Sequence, residues 1–171
     1  MGVTLLPQIE NRFSCTEFDG DPVTKEDIEV ILEAGRRAPS AKNRQAWRFV
    51  VIDDTGIRKE VESAAFGQEH VGTAPVIVAL CTTNVDYKMP NGQLSYPIDI
   101  AIASSFMLLQ AESMGYSTCY ISTYDEVRVR EIISAPYSMR VVMLLLIGKA
   151  KIKSMQKKKK SINDVSSYNH W

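Results

Sequence analysis

Only two histidines, His70 and His170, and three cysteines, Cys15, Cys81 and Cys119, occur in 171 residues, and none is paired at a ligand spacing. The missing CxxC pair excludes the usual iron–sulfur, zinc and disulfide frameworks, which need several ligands or partners close together. The isolated histidines likewise give a metal site or a serine-hydrolase triad little to build on. Three scattered thiols fit a reduced, cytoplasmic setting, and Cys15 and Cys119 are expected as small apolar fillers. Apolar runs are short: none reaches the roughly 18 residues of a membrane-spanning helix. The opening MGVTLLPQIENR lacks the basic flank, apolar stretch and small-residue cleavage site of a secretion signal. Leu6 stands where a myristoylation signal places Ser or Thr.

Net charge is also lacking, since 20 basic residues balance 20 acidic ones. There is thus no overall attraction to nucleic acid or to a membrane surface. The distribution is uneven, however: Lys149 to Lys160, KAKIKSMQKKKK, holds seven lysines and no acid. Such a run is either a solvated tail or a clamp for an anion. No GxGxxG follows a strand and no GxxxxGK[ST] occurs, so neither a Rossmann turn nor a P-loop is available to hold nucleotide phosphates.

What is present suits one domain over residues 1–171, with a basic C-terminal tail over 149–171. Thr24 is placed to cap an amphipathic helix that runs through Ile28, Ile31 and Leu32 and stops before Pro39. Trp47 to Ile52 is predicted as a buried strand, Ile57 to Ala65 as a helix, and Val76 to Cys81 as a second strand. Pro97 to Met114 is apolar on more than one face, which places it in the centre of the molecule or in a subunit interface. A strand over Ser117–Ile121, a helix near Asp125–Ile133 and a strongly apolar strand over Val141–Ile147 complete the chain. This interleaving predicts a sheet flanked by helices.

Near the N-terminus, Arg12, Ser14, Ser40, Asn43 and Gln45 gather side-chain amides, hydroxyls and a cation. An amide presents a donor and an acceptor on one plane, matching the polar edge of a flavin ring, while Arg and Ser suit a phosphate. By itself this composition also describes an ordinary polar loop.

Order and spacing add to it. The run Arg12-Phe13-Ser14 with Phe18, then Ile31-Leu32-Glu33-Ala34, then APSAKNRQAWRF from Ala38 to Phe49, resembles the N-terminal signature of the nitroreductase family of FMN enzymes. Asp99, GYSTCYIS from Gly115 to Ser122, Ile147-Gly148 and the lysine-rich tail resemble its later landmarks in the same order. The resemblance implies an α+β fold with a mainly antiparallel central sheet flanked by helices. It also implies an intertwined homodimer with one FMN in each of two interface sites. Carried over residue by residue, Arg12 with Lys157 and Lys159 would meet the FMN phosphate. Phe13, Ser14 and Thr16 would lie near the ring or ribityl chain. Pro39, Ser40, Ala41 and Asn43 would line the ring, with Gln45 reaching ring or ribityl oxygens. The backbone of Ile121, Ser122 and Thr123 would sit beside the flavin N5 and O4.

The implied activity is electron transfer from NADH or NADPH to a nitroaromatic, a quinone or a related acceptor by a ping-pong hydride mechanism, with the chemistry carried by the flavin. A different flavin reaction on the same fold, such as dehydrogenation or reductive dehalogenation, and a non-catalytic flavin-binding role are the alternatives. They arise from a departure: Thr16 stands where the family usually has Arg or Lys against the flavin N1 and O2 edge. Lys42 or Arg44 is a possible substitute cation. Phe106 also replaces a common Asn, and Ala46 a common Pro.

Overall fold

A computed structural model describes residues 5–153 and 158–171. In chain order the elements are α1 (Pro7–Asn11), α2 (Lys25–Arg36), β1 (Trp47–Ile52), α3 (Thr55–Ala64), α4 (Glu69–Thr73), β2 (Val76–Thr82), α5 (Tyr96–Ser113), β3 (Ser117–Ile121), α6 (Glu126–Ile132) and β4 (Arg140–Gly148). Short 3-10 turns lie at Ala41–Asn43 and Ile162–Asp164.

The sheet order is β1-β2-β4-β3 and every ladder is antiparallel. Each residue of β2 is buried, because helices cover both sheet faces. Alternate side chains serve the two layers, as the two-residue period of a strand requires. Ile77, Ala79 and Cys81 of β2, with Leu144 and Leu146 of β4, pack under α3, α4 and α6 through Val61, Val71 and Val129. Val76, Val78 and Leu80, with Leu145 and Ile147, pack under α2 and α5 through Ile31, Ile100, Ala103 and Met107. Burial of each such large side chain contributes about 1.5–3 kcal/mol.

Helix starts follow local chemistry. The Thr24 hydroxyl accepts from the Asp27 N–H at 3.1 Å, Asp54 from Ile57 at 2.9 Å and Asp125 from Arg128 at 3.1 Å, satisfying N–H groups that a first turn leaves without partners. Gly35 lets α2 lie close on α5, since a Cβ there would come within 2.9 Å of Met107 Cγ.

One expectation changes. Trp47 to Ile52 is an edge strand rather than a fully buried one: Trp47 and Ile52 are buried, while Phe49, Val50 and Val51 are half-exposed. Val50 and Ile52 reach one core layer and Trp47, Phe49 and Val51 the other, while the outer edge of the strand is open. The helix α5 buries Ile100, Ala103, Met107 and Ala111 against the sheet, yet Ile98 and Phe106 on its other side are 41% and 42% exposed. Being apolar all round, it thus leaves an uncovered apolar face. The tail from 158 to 171 is exposed throughout, including Ile162, Tyr168 and Trp171. A capping box between Ser161 and Asp164 organises its one turn.

Candidate flavin site

The site residues fall into two sets, each built by a different device. The first is an extended strap along the outer edge of β3. Ser14 bridges Thr118 in parallel, and the Cys15 N–H donates to the Thr118 carbonyl at 3.0 Å. Further on, the Asp19 N–H donates to Lys149 O and the Lys151 N–H to Glu17 O, tying the strap to the chain that leaves β4. Extended backbone alternates its side chains. Phe13 and Cys15 are therefore buried in the core, while Ser14 and Thr16 are exposed and Arg12 is half-buried. Three polar side chains thus share one outward face.

Arg12 lies beside Glu112 in the last turn of α5. Burial pushes the Glu112 carboxyl up, and the neighbouring Lys153 and Arg12 cations oppose that shift. At the far end of β3, Ile121 turns its side chain into the core and Ser122 and Thr123 are exposed. Their backbone is pinned from the end of α3 and the start of α4: the Gln68 amide donates to Thr123 O and Ala65 O, both at 2.8 Å, and the Asp125 N–H donates to Ala64 O at 2.8 Å.

The second set is the loop from Pro39 to Gln45. The Asp99 carboxylate, buried in the first turn of α5, accepts from the Ala41 N–H at 2.8 Å. The Ser40 hydroxyl oxygen accepts from the Gln45 N–H at 3.0 Å and closes the loop. Lys42, Asn43 and Gln45 have φ of 52°, 53° and 50°. Side chains other than glycine disfavour this left-handed region by on the order of 1 kcal/mol or more each, so the anchors hold a strained loop in one shape. Asn43 and Gln45 are exposed, and the Gln45 amide donates to Asn43 O at 3.4 Å. Arg44 and Lys42 lie over the Tyr87 ring, 4.0 and 5.6 Å from its centroid.

The two sets are anchored at different places on α5. One hangs on Asp99 and the other reaches Glu112, at opposite ends of α5. Thirteen residues of helix separate those anchors by about 20 Å. Of the expected phosphate ligands in the tail, Lys159 is exposed and Lys157 lies outside the described residues. The anchoring roles of Gln68, Asp99 and Tyr87 went unassigned from sequence. Gln68 and Asp99 act over 55 and 58 residues of separation, which no local spacing records.

The donors present, a half-buried Arg, exposed hydroxyls and amides, and exposed lysines, fit a phosphorylated, amide-edged heterocycle such as FMN. Among the described residues, no group of three or more His, Cys, Asp and Glu is placed to hold a metal ion.

The model of the Nitroreductase family matches residues 9–68 and 57–149. The chain belongs to the nitroreductase family. An NADH dehydrogenase of Thermus thermophilus is 29% identical to it over 168 residues, covering 80% of this chain and 82% of that protein. Among solved structures, a nitroreductase family protein from Clostridium difficile 630 superposes with a TM-score of 0.87 at 26% identity, covering 99% of this chain and all of the other. The NADPH:FMN oxidoreductase of Vibrio harveyi in complex with NAD+ has the same fold, with a TM-score of 0.86 at 24% identity over 96% of this chain and 76% of that one. The α+β architecture with an antiparallel sheet is thus that of the nitroreductase family.

Proposed function

We propose that this protein is an FMN-dependent oxidoreductase that takes electrons from NADH or NADPH and passes them to a small oxidised acceptor, a nitroaromatic or a quinone, in a ping-pong sequence. The observation that carries the reading is the pairing of an outward polar strap, Arg12, Ser14 and Thr16, with a rigid amide-bearing loop, Pro39 to Gln45, in a chain of this family. The similarity to an NADH dehydrogenase of Thermus thermophilus agrees with it.

Bound flavin supplies two-electron chemistry at N5. The chain's residues bind and orient. Arg12, with Lys157 and Lys159, holds the phosphate by charge-assisted hydrogen bonds. Ser14, Ser40, Asn43 and Gln45 offer donors and acceptors to the ring and ribityl chain, Pro39 and Ala41 give apolar contact, and Phe13 supports the strap from beneath. Ser122 and Thr123, pinned through Gln68, offer backbone groups at the reacting edge.

The 20 Å between the two anchor points gives the homodimer its reason. A site using both sets takes the strap of one protomer and the loop of its partner. The uncovered face of α5 at Ile98 and Phe106, and the exposed Ile162, Val165, Tyr168 and Trp171 of the tail, supply surface for such an intertwined pair.

A second reading, the same flavin with a different reaction, is favoured by Thr16 alone. An exposed hydroxyl stabilises negative charge on a reduced ring less than a cation does.

Reconstitution with FMN followed by anaerobic addition of NADH or NADPH is the test. The expected result is a yellow protein whose visible flavin band bleaches and returns on adding menadione or a nitrofuran. Bleaching without recovery by any acceptor selects the second reading, and a protein that stays colourless with FMN overturns both.

A further inference from the structure

Two cations of the loop, candidates above for the charge missing at Thr16, have surroundings that fit a different anion. Lys42 and Arg44 are both exposed, and among the described residues neither forms a salt bridge. The Asp99 carboxylate, which touches their loop, is occupied by the Ala41 N–H. Both nevertheless have a fixed address. Arg44 stacks on Tyr87 and Lys42 approaches the same ring. Tyr87 is itself held, its N–H donating to Asn84 Oδ1 at 3.2 Å and its carbonyl accepting from the Ser95 N–H at 3.1 Å. Ser95 is buried beside the start of α5, one turn before Asp99. The first turn of α5 therefore anchors both the cationic loop and the aromatic face on which its cations rest.

A guanidinium lying on a ring keeps its in-plane N–H fork free for an anion, and a neighbouring ammonium adds a point charge. That combination fits a phosphate group. In the reading above the flavin phosphate is assigned to Arg12, on the strap, and to the tail lysines. The acceptors in the proposed reaction are neutral aromatics. The remaining phosphate-bearing reactant is the dihydronicotinamide dinucleotide, and this chain has neither a GxGxxG turn nor a P-loop with which to hold its phosphates.

Resting on the oxidoreductase reading above, we propose that Lys42 and Arg44, stacked on Tyr87, form a clasp for a phosphate of the reductant nucleotide. Tyr87 is a positioning residue: it fixes the fork without touching the anion.

The test uses the FMN-loaded protein and three hydride donors, NADPH, NADH and the phosphate-free 1-benzyl-1,4-dihydronicotinamide, with ADP and 2′,5′-ADP as directly titrated ligands. Lys42→Gln with Arg44→Gln is expected to weaken nucleotide binding and the apparent affinity for NAD(P)H by about 10-fold or more. Reduction by the benzyl donor and FMN affinity should stay within about twofold of wild type. Tyr87→Phe should behave as wild type, while Tyr87→Leu should lose part of the nucleotide affinity. A loss confined to NADPH and 2′,5′-ADP identifies the 2′-phosphate, and an equal loss for NADH and ADP identifies the pyrophosphate.

Unchanged nucleotide binding in the double variant overturns the clasp. So does an equal slowing with the benzyl donor, or a comparable loss of FMN, since the cations then serve the flavin. A wild-type protein that binds ADP through these residues but is reduced by no donor keeps the clasp and refutes the oxidoreductase reading. One that is reduced by NADPH yet binds neither ADP nor 2′,5′-ADP does the reverse.

Discussion

His70, in α4, is a side chain whose protonation is coupled to folding. Burial lowers its pKa below the ordinary value of 6.5, so the folded chain resists a proton that the unfolded chain accepts. Below 6.5 the unfolded state therefore binds more protons, and stability falls as pH drops from that value toward the folded pKa. Glu33 shows why a larger shift need not matter more. Hydrogen bonds from Arg36 and Arg37 hold it down to about 2, yet it sits on the surface where water and salt screen the pair. Urea midpoints at about pH 8 and about pH 5.5 should differ more for wild type than for His70→Gln. An identical gap in both proteins rules out His70 as the source. The cysteines behave as packing groups. Burial raises all three thiols, Cys81 to about 12, which leaves little thiolate for redox chemistry.

At the scale of elements, the strap that carries Arg12 and Ser14 depends on how closely β4 ends against its neighbours. Gly148, the last residue of β4, pairs with Ser117. A Cβ there would come within 2.6 Å of the Pro75 ring and 2.8 Å of Phe18 Cδ1. A proline ring cannot swing aside, and Phe18 belongs to the strap through its bridge to Ala150. Gly148→Ala is accordingly expected to cost about 1–3 kcal/mol, read as a lower denaturation midpoint, and to weaken FMN binding with it. A variant as stable as wild type would show that the strap has room to move. The same elements explain what the sequence made legible. The strands β2 and β4 read as continuous apolar runs because both their faces are covered, and α2 carried its cap and its period openly. The helices α1 and α4 passed unseen because each has five residues, too few to establish a helical period. The edge position of β1 was hidden because a half-covered strand of aromatic and β-branched residues looks like a buried one. In the site, residue types such as Asn43 and Gln45 could be read from sequence. The left-handed backbone that displays them could not, since it is imposed by Asp99 from a distant helix.

At the scale of the molecule, the separation of the two residue sets along α5 makes a quantitative prediction about assembly. If each site combines the strap of one protomer with the loop of the other, a defect in the strap and a defect in the loop complement each other in a mixed dimer. Arg12→Ala and Asn43→Leu should each lose flavin binding and activity as homodimers. Mixed in equal amounts and allowed to exchange subunits, half of the dimers are heterodimers. Each heterodimer carries one site with both substitutions and one with neither. Recovery should therefore approach about one quarter of wild-type activity, with FMN bound in the same proportion. A site contained within single chains predicts no recovery on mixing, because every chain keeps its own defect. The comparison separates a shared site from an internal one even when the natural acceptor is unknown, because flavin retention reports the result without turnover. It also tests the uncovered face of α5, since Phe106→Lys on that face should reduce both dimer formation and the recovery.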